Sequence, residues 1–215
     1  MPTRLTLLIA AAALALGLAQ SPARALDASS PPSLVNSLVS DGLGIVAEAQ
    51  ASDGQRQDKF RALLDQGFDI PRISRFVLGR FWNGATDEQR QTFNKLFEDW
   101  VVQTYSSRFK SYQGQTIKVT GTSAESETTT LVSSQLVNPN GAPPAQIDWH
   151  VHKNPDGGYR IVDVSVDGVS MALTQRDENA AIADRNGGTI VALNNALQQK
   201  LASGQPMPSA LPATK

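Results

Sequence analysis

Hydrophobic residues recur along this chain with two periods, and the change between them divides it into three parts. Over residues 34–112 they return every three or four positions, which is the period of an amphipathic helix. Over residues 115–166 they alternate with polar residues, as in a half-buried strand. Helical spacing then returns up to Leu201. The pattern predicts helices, then a sheet, then helices again.

Three helices are predicted at the start of the first part. Residues 34–46 carry apolar side chains at helical spacing, and residues 55–66 do the same up to Gly67, which is placed to end the second helix. Asp69 is placed to cap a third helix, with Pro71 in its first turn, where a missing N–H costs little.

The longest predicted helix begins after Thr86. Thr86 and Gln89 have the spacing of a capping box, in which each side chain accepts a hydrogen bond from the other residue's backbone. Apolar and aromatic residues then mark one broad face up to Tyr112, about seven turns at 3.6 residues per turn.

Four strands are predicted in the middle part, each rich in β-branched or aromatic residues and bounded by turn sequences. They occupy residues 115–121, 128–137, 145–153 and 159–166. Because the connections are short, successive strands should pair antiparallel. The chain is therefore predicted to be α+β, with N-terminal helices, a four-stranded antiparallel curved sheet, and C-terminal helices packed on one face of it.

The two sides of these strands differ in polarity. In the third strand Ile147, Trp149 and Val151 share one side and polar residues the other, which is typical of a sheet covered on a single face. In the fourth strand the alternation places Ile161 on one side and Val162, Val164 and Val166 on the other.

The fourth strand leads directly into the C-terminal helices. Asp167 and Gly168 provide turn chemistry, and Ser170 is placed to cap a helix that continues through an alanine-containing polar segment. A last amphipathic helix is predicted over residues 189–201. The tail, residues 202–215, is rich in Pro, Ser and Ala and is predicted to be disordered.

The N-terminus has the features of a secretory signal peptide. Arg4 precedes an apolar run, and Ala23 and Ala25 form an A-x-A cleavage site, so residues 1–25 are expected to be removed on export. The run is shorter than the ~20 residues that a membrane-spanning helix needs. Residues 26–201 are long enough for one domain with a core of its own.

Composition excludes several kinds of site. The chain contains 0 cysteines, so it has neither disulfides nor thiolate chemistry. Removal of Arg4 and Arg24 with the signal peptide would leave 17 basic and 20 acidic residues, a net charge of about −3. This balance argues against nucleic acid as a partner, because phosphate binding needs a concentrated positive surface.

One cluster in the third strand has metal-ligand chemistry. Asp148, His150 and His152 share a strand side, and two imidazoles with a carboxylate can bind zinc. However, residues two apart on a flat strand are about 7 Å from each other, so a single ion would need a twist or a further ligand. A solvated strand side is the better interpretation, and no metal is predicted.

Asp163 is the residue with the chemistry of a general base, because it lies inside an apolar strand where burial raises a carboxyl pKa. A small secreted enzyme using Asp163 is therefore an alternative hypothesis, although no second acid or base has an obvious place beside it. A structural carboxylate is the preferred interpretation. Ser170 lacks the second glycine of a nucleophile elbow, and the chain is predicted not to be an enzyme.

Several motifs in register resemble the MlaC family, also called the toluene-tolerance auxiliary proteins, and the resemblance covers residues 34–201. The motifs are GRFW at 79–82, ATDEQ at 85–89, LFED at 96–99, IVDV at 161–164, GVS at 168–170, TQR at 174–176 and NGG at 186–188, together with Tyr105, Phe109 and Tyr112. One departure is visible, since Asn179 stands where the family typically has an aromatic residue.

The resemblance implies a nuclear-transport-factor-like α+β fold and a periplasmic phospholipid carrier without catalytic residues, metal or cofactor. It implies three partners: phospholipid, an inner-membrane ABC transporter with its substrate-binding ring, and an outer-membrane lipoprotein complex. A similar branch is associated with hopanoid export, so a carrier of another lipid is a second alternative.

A carrier of this kind needs an apolar cavity between helices and sheet. Sixteen residues on the predicted apolar faces are the candidate cavity wall: Phe76, Trp82, Leu96, Phe97, Trp100, Val101, Tyr105, Ile147, Trp149, Val151, Ile161, Val164, Val166, Val169, Met171 and Leu173.

Overall fold

The structure is a computed structural model that describes residues 25–48 and 50–207. The predicted signal peptide therefore lies outside the described residues except for Ala25. Within the described part the elements follow in this order: α1 (Pro31–Ala47), α2 (Asp53–Gly67), α3 (Ile70–Leu78), a 3-10 turn (Gly79–Phe81), α4 (Asp87–Ser107), a second 3-10 turn (Arg108–Ser111), β1 (Thr116–Ala124), β2 (Thr129–Val137), β3 (Ala145–Lys153), β4 (Tyr159–Val166), β5 (Val169–Ser170), α5 (Met171–Arg185) and α6 (Ile190–Ala202). The α+β class is confirmed.

Each of these α-helices begins after a residue whose side-chain oxygen accepts a hydrogen bond from the first turn, which satisfies a backbone N–H that has no partner in the helix. The predicted caps Asp69 and Ser170 are confirmed, as is the capping box of Thr86 and Gln89. The remaining caps are Ser30, Ser52 and Thr189. Local sequence thus sets where the helices start.

Helix α4 is shorter than its apolar face suggested. It ends at Ser107, and the chain continues as a 3-10 turn to Ser111 before the sheet begins. The tighter turn rotates Phe109 toward α2, where its ring meets Phe60 edge to face with centroids 5.3 Å apart. The apolar residues keep their spacing across the change from α-helix to 3-10 turn, so the sequence pattern did not reveal where α4 ends.

The sheet is antiparallel throughout and its strand order is β1-β2-β3-β4-β5. The short β5 was not predicted. It exists because Asp167 and Gly168 both adopt positive φ, 48° and 81°, as a two-residue hairpin turn requires. The chain therefore returns along the end of β4 for two residues before α5 starts.

A bulge in β4 overturns the predicted sides of that strand. Asp163 pairs with His150, but Ile161 pairs with the next residue of β3, so Val162 is the extra residue. Because directly paired residues share a face, Ile161 and Val164 lie on the same face as Trp149. The prediction that Ile161 lies opposite Val164 and Val166 is wrong, because strict alternation does not survive the inserted residue.

The buried residues form two clusters rather than a single layer of helices on a sheet. In the first, α1 and α2 pack on one face of β2, β3 and β4, around Leu34, Leu38 and Trp149. In the second, α3, α4, α5 and α6 pack on one another around Phe93, Trp100 and other buried residues. Helix α6 packs mainly on α4 and α5, and α5 packs on β4.

The start of the predicted disordered tail is ordered against the second cluster. The Trp100 Nε1–H donates to the Gln205 carbonyl oxygen at 2.7 Å, and the Met207 N–H donates to Thr104 Oγ1 at 2.9 Å. The Met207 side chain is buried. Disorder is therefore the wrong prediction for residues 202–207, because backbone bonds and one apolar anchor hold them. Residues 208–215 lie outside the described part.

No helix among the described residues is long and apolar enough to cross a membrane.

Candidate ligand-binding cavity

An apolar cavity of about 360 Å³ lies between the two buried clusters. This volume falls within the roughly 300–1,000 Å³ of typical ligand pockets. Two helices pass along it and contribute lining residues at helical spacing: Phe60, Leu63 and Leu64 from α2, and Phe97 and Val101 from α4. Residues three, four or seven positions apart share one side of a helix, so each helix presents a continuous apolar stripe to the space.

The sheet and α5 close the opposite side. Ile117 of β1 and Leu136 of β2 are cross-strand partners and line the cavity together, as do Trp149 of β3 and Val164 of β4. Met171 begins α5 beside them, and its sulfur lies 3.9 Å from the Tyr105 hydroxyl. The cavity is thus walled by aliphatic, aromatic and thioether groups, which suit an apolar ligand.

Seven of the sixteen predicted wall residues line this cavity: Phe97, Val101, Tyr105, Ile147, Trp149, Val164 and Met171. Six others lie elsewhere in the interior: Trp82, Leu96, Trp100, Val151 and Ile161 belong to the clusters or pack against them, and Val166 is buried. The last three are exposed on the surface: Phe76, Val169 and Leu173. An apolar face identifies residues that are removed from water, but it does not tell filled core from empty space.

Of the 21 described residues that line the cavity, 14 were absent from the prediction. The unpredicted lining residues are Leu38, Phe60, Leu63, Leu64, Phe68, Ile70, Ile73, Ile117, Leu136, Val162, Asp163, Ala172, Gln175 and Met207. The stripe Phe60, Leu63, Leu64 was readable at helical spacing in α2. The contribution of Val162 depends on the β4 bulge, and that of Met207 depends on tertiary contacts of the tail.

Among the described residues, Asp163 is the one carboxylate that lines the cavity, and it holds the start of α5. Its Oδ1 accepts hydrogen bonds from the backbone N–H of Val164 at 2.8 Å and of Ala172 at 2.9 Å. Its Oδ2 accepts a bond from the Ser170 hydroxyl. Ser170 in turn accepts the Leu173 N–H at 3.0 Å. Asp163 and Ser170 therefore hold the cavity wall formed by α5 against β4.

Replacing Asp163 by Ala should lower the free energy of unfolding by about 2–3 kcal/mol, since bonds to charged groups contribute about 1.5–3 kcal/mol each and are not additive. Urea denaturation followed by circular dichroism measures it. Asp177→Ala on the exposed part of α5 is the matched control and should change stability by less than about 0.5 kcal/mol. Equal stability of the two variants would contradict the fastening role of Asp163.

The enzymatic alternative receives mixed support from this geometry. Asp163 does line a cavity, as that hypothesis needs. However, its carboxylate already accepts three donors, and the cavity lining within residues 25–48 and 50–207 contains no histidine and no second carboxylate. A general base needs a partner that returns or receives the proton, so the arrangement favours the structural role.

The predicted strand cluster in β3 has protein partners of its own. Asp148 accepts the Ser133 hydroxyl at 2.7 Å, and the two ring nitrogens of His150 lie 2.9 Å from Glu125 and 3.1 Å from Ser165. Across the described residues, His, Asp and Glu side chains form no group of three able to hold a metal.

A second, larger cleft of about 550 Å³ is lined by both polar and apolar groups, and most of its lining residues, such as Asp53, Arg56 and Lys110, are polar or charged. At its edge the Lys110 ammonium, 2.7 Å from the Asp53 carboxylate, lowers the pKa of Asp53 through a hydrogen bond and its charge, and Arg56 adds to this. Phe60 lines the apolar cavity and Phe109 lines this cleft, so their edge-to-face pair lies between the two spaces. The polar and charged residues of this larger cleft make it less suited to an apolar ligand than the cavity.

Arg61 connects the two helices that cross the cavity. Its guanidinium binds Glu98 and, at 2.8 Å, Asp99, so α2 and α4 are joined by charge. Partial burial acts to lower the pKa of Arg61, but the hydrogen bonds and charges of the two carboxylates outweigh it and raise the pKa. The spacing between the two cavity helices is thereby held from outside.

Asn179, the departure from the family pattern, lies away from the cavity. It is fully buried in α5, and its side-chain amide donates to the Val77 carbonyl oxygen of α3 at 3.3 Å. The residue therefore affects how α5 packs on α3 and makes no contact with the cavity.

Comparison with known proteins identifies the family of this fold. The model of the family described as MlaC protein matches residues 36–199, more than half of the chain. The chain belongs to the MlaC family. The resemblance carried by the motifs is confirmed, and the match extends from within α1 to within α6.

Two individual proteins are similar to this MlaC-family chain. The toluene tolerance protein ttg2D of Pseudomonas putida is 27% identical over 135 residues, which cover 62% of this chain and 61% of that protein. The solved structure of the phospholipid-binding protein from Ralstonia solanacearum, in complex with a phospholipid, superposes with a TM-score of 0.69 at 26% identity, over 80% of this chain and 96% of that one. The chain matches about three fifths of the curated relative.

Proposed function

We propose that this protein is a periplasmic phospholipid carrier whose apolar cavity holds the acyl chains. The observation that carries the proposal is the apolar cavity of about 360 Å³ between the two buried clusters, in which Asp163 is the single carboxylate in the part of the chain that the structure describes. An acyl chain has no polar group to satisfy, so it suits such walls, whereas a charged headgroup would remain in water. The similarity to a protein solved with a phospholipid supports this ligand class.

The energetics explain why such a protein works as a carrier that needs receivers. Burial of one methylene contributes about 0.8 kcal/mol, and a diacyl lipid has roughly thirty of them, so more than about 20 kcal/mol opposes release into water before losses are counted. Lipid would then leave only into another apolar site. Family membership supports two receivers for the lipid: the inner-membrane ABC transporter with its substrate-binding ring, and the outer-membrane lipoprotein complex.

The predicted signal peptide supports export to the periplasm, the compartment between those two membranes. The proposal requires no catalysis, metal or cofactor. Asp163 in this account positions α5 and has no chemical role in the ligand.

Mass spectrometry of lipids extracted from the mature protein tests the proposal. The protein is purified without detergent, and an exported protein of similar size without a cavity is carried through the same purification as control. About one glycerophospholipid per chain is expected. Recovery of hopanoid instead would support the other-lipid alternative, and lipid at no more than the level of the control would contradict carriage.

A further inference from the structure

Three apolar residues that the sequence placed in the cavity are instead on the outside of α3, β5 and α5. Phe76, Val169 and Leu173 are 42%, 50% and 49% exposed. The Arg176 guanidinium lies 5.1 Å from the centroid of the Phe76 ring, so α3 and α5 meet at this surface. Leu173 and Arg176 are three residues apart on α5 and so share one side of the helix. An exposed phenylalanine and an exposed leucine that both neighbour Arg176 indicate a contact surface for a partner.

The same surface carries positive charge that the protein does not neutralise. Arg72, Arg75 and Arg176 are all exposed, and within the described residues none of them forms an ion pair with a carboxylate. We call Arg72, Arg75, Phe76, Leu173 and Arg176 the arginine surface. Its positive charge stands out because the whole chain has a net charge of −1.

Most acidic residues on α3, α5 and the α3 cap are engaged elsewhere. Asp69 accepts the Arg72 backbone N–H as the helix cap, Glu178 pairs with Arg185, and Asp184 pairs with Arg80. Asp177 is the remaining carboxylate of α5 and does not balance three arginines.

Aromatic rings lie against two of the three arginines, Arg75 and Arg176. Arg75 lies 5.6 Å from the Trp82 ring centroid, and Arg90 lies 5.0 Å from it, so two guanidinium groups contact the same indole. Stacking on aromatic rings fixes a guanidinium before any partner arrives, which lowers the entropy lost on binding.

We propose that the arginine surface binds a protein partner that presents aspartate and glutamate around a small apolar patch. Guanidinium groups bind carboxylates with two parallel hydrogen bonds. The surface combines arginine and aromatic residues and has no lysine, which is the composition of protein interface centres. The net negative charge of the chain opposes its attraction to an anionic bilayer.

The position of this surface relates docking to the cavity. The outer side of α3 and α5 forms the arginine surface, while Ile70 and Ile73 of α3 and Met171 and Ala172 of α5 line the cavity. A partner on the arginine surface therefore contacts the two helices that form one wall of the ligand space. This inference rests on the proposed function, in which lipid leaves only when a receiver engages the carrier.

Binding to the receivers tests the arginine surface with a matched pair of double variants. Arg72→Glu with Arg176→Glu reverses two charges on the surface, and Lys118→Glu with Lys153→Glu reverses two on exposed positions of β1 and β3. The probes are the isolated periplasmic domains of the transporter ring protein and of the outer-membrane lipoprotein from the same organism. We expect the arginine double variant to weaken binding to at least one probe by more than about tenfold, and the lysine pair by less than about twofold.

Wild-type binding should also weaken as salt rises from about 50 to about 300 mM, since the contact is charged. Equal effects of the two double variants, or no wild-type binding to either probe, would overturn the proposal. So would wild-type binding to vesicles of phosphatidylethanolamine and phosphatidylglycerol that the arginine variant alone loses, because the partner would then be a membrane. Lipid content is measured on every sample: a lipid-free wild type counts against the carrier function, and lost binding at unchanged lipid content supports the arginine surface.

Discussion

Replacement of Val101 by Trp is expected to reduce the copurified phospholipid by about tenfold while the protein stays folded. Val101 lies on α4 with its side chain in the cavity wall, so an indole at this position occupies space that an acyl chain would use. Overpacking a filled core costs about 1–3 kcal/mol, but here the added atoms enter an existing cavity and the cost should be at the lower end. Lipid phosphorus per mole of protein and the midpoint of thermal unfolding are measured on the same sample.

Val191→Trp is the matched control for this variant. Val191 is 50% exposed on α6 and lies outside the cavity, so the same change should leave the lipid content at the wild-type level. Full lipid content in Val101→Trp, with its fold intact, would show that the ligand does not occupy this cavity. That result would contradict the proposed function, which places the acyl chains in this cavity.

The fold was largely predictable because local chemistry marks where its elements begin and end. The capping box of Thr86 and Gln89 starts α4 where predicted, and both ends of β3 and β4 agree with the alternation of the sequence. Turn sequences rich in Asn, Pro and Gly separate these strands, so the antiparallel order followed from short connections.

The bulge at Val162 was not predictable, because it is defined by pairing with β3 rather than by β4 itself. A strand read alone shows alternation, and one extra residue moves every following side chain to the other face. The same limit applies to Met207, whose burial depends on a hydrogen bond to Thr104 from an apolar-poor tail.

The cavity was only partly predictable for a related reason. Trp100, Val101 and Leu173 are all apolar residues on helical faces, yet the first is in the core, the second lines the cavity and the third is exposed. A cavity is space that neighbouring elements fail to fill, so it depends on the distances between elements. Helical or strand periodicity contains no information on that distance.

Replacement of Trp100 by Ala is expected to lower the free energy of unfolding by about 3–5 kcal/mol, as for other buried tryptophan deletions. Trp100 is fully buried beside Val101 on α4, but its side chain packs in the helical cluster, and its Nε1–H donates to Gln205. The change therefore leaves a void and releases the start of the tail. For a domain of this size the loss corresponds to a fall of about 10 °C in the unfolding midpoint. Urea denaturation measures the loss of unfolding free energy, and the dependence of that free energy on urea concentration should stay the same as in the wild type.

Trp82→Ala is the control for Trp100→Ala, because it removes an indole that is only partly buried. Trp82 is half-buried between Arg75 and Arg90, and its removal should cost no more than about 1–2 kcal/mol, since only part of its area is shielded from water. If Trp100 instead contacted lipid, as its apolar face suggested, Trp100→Ala would lose lipid at nearly unchanged stability. A stability loss with lipid retained in the folded fraction assigns Trp100 to the core.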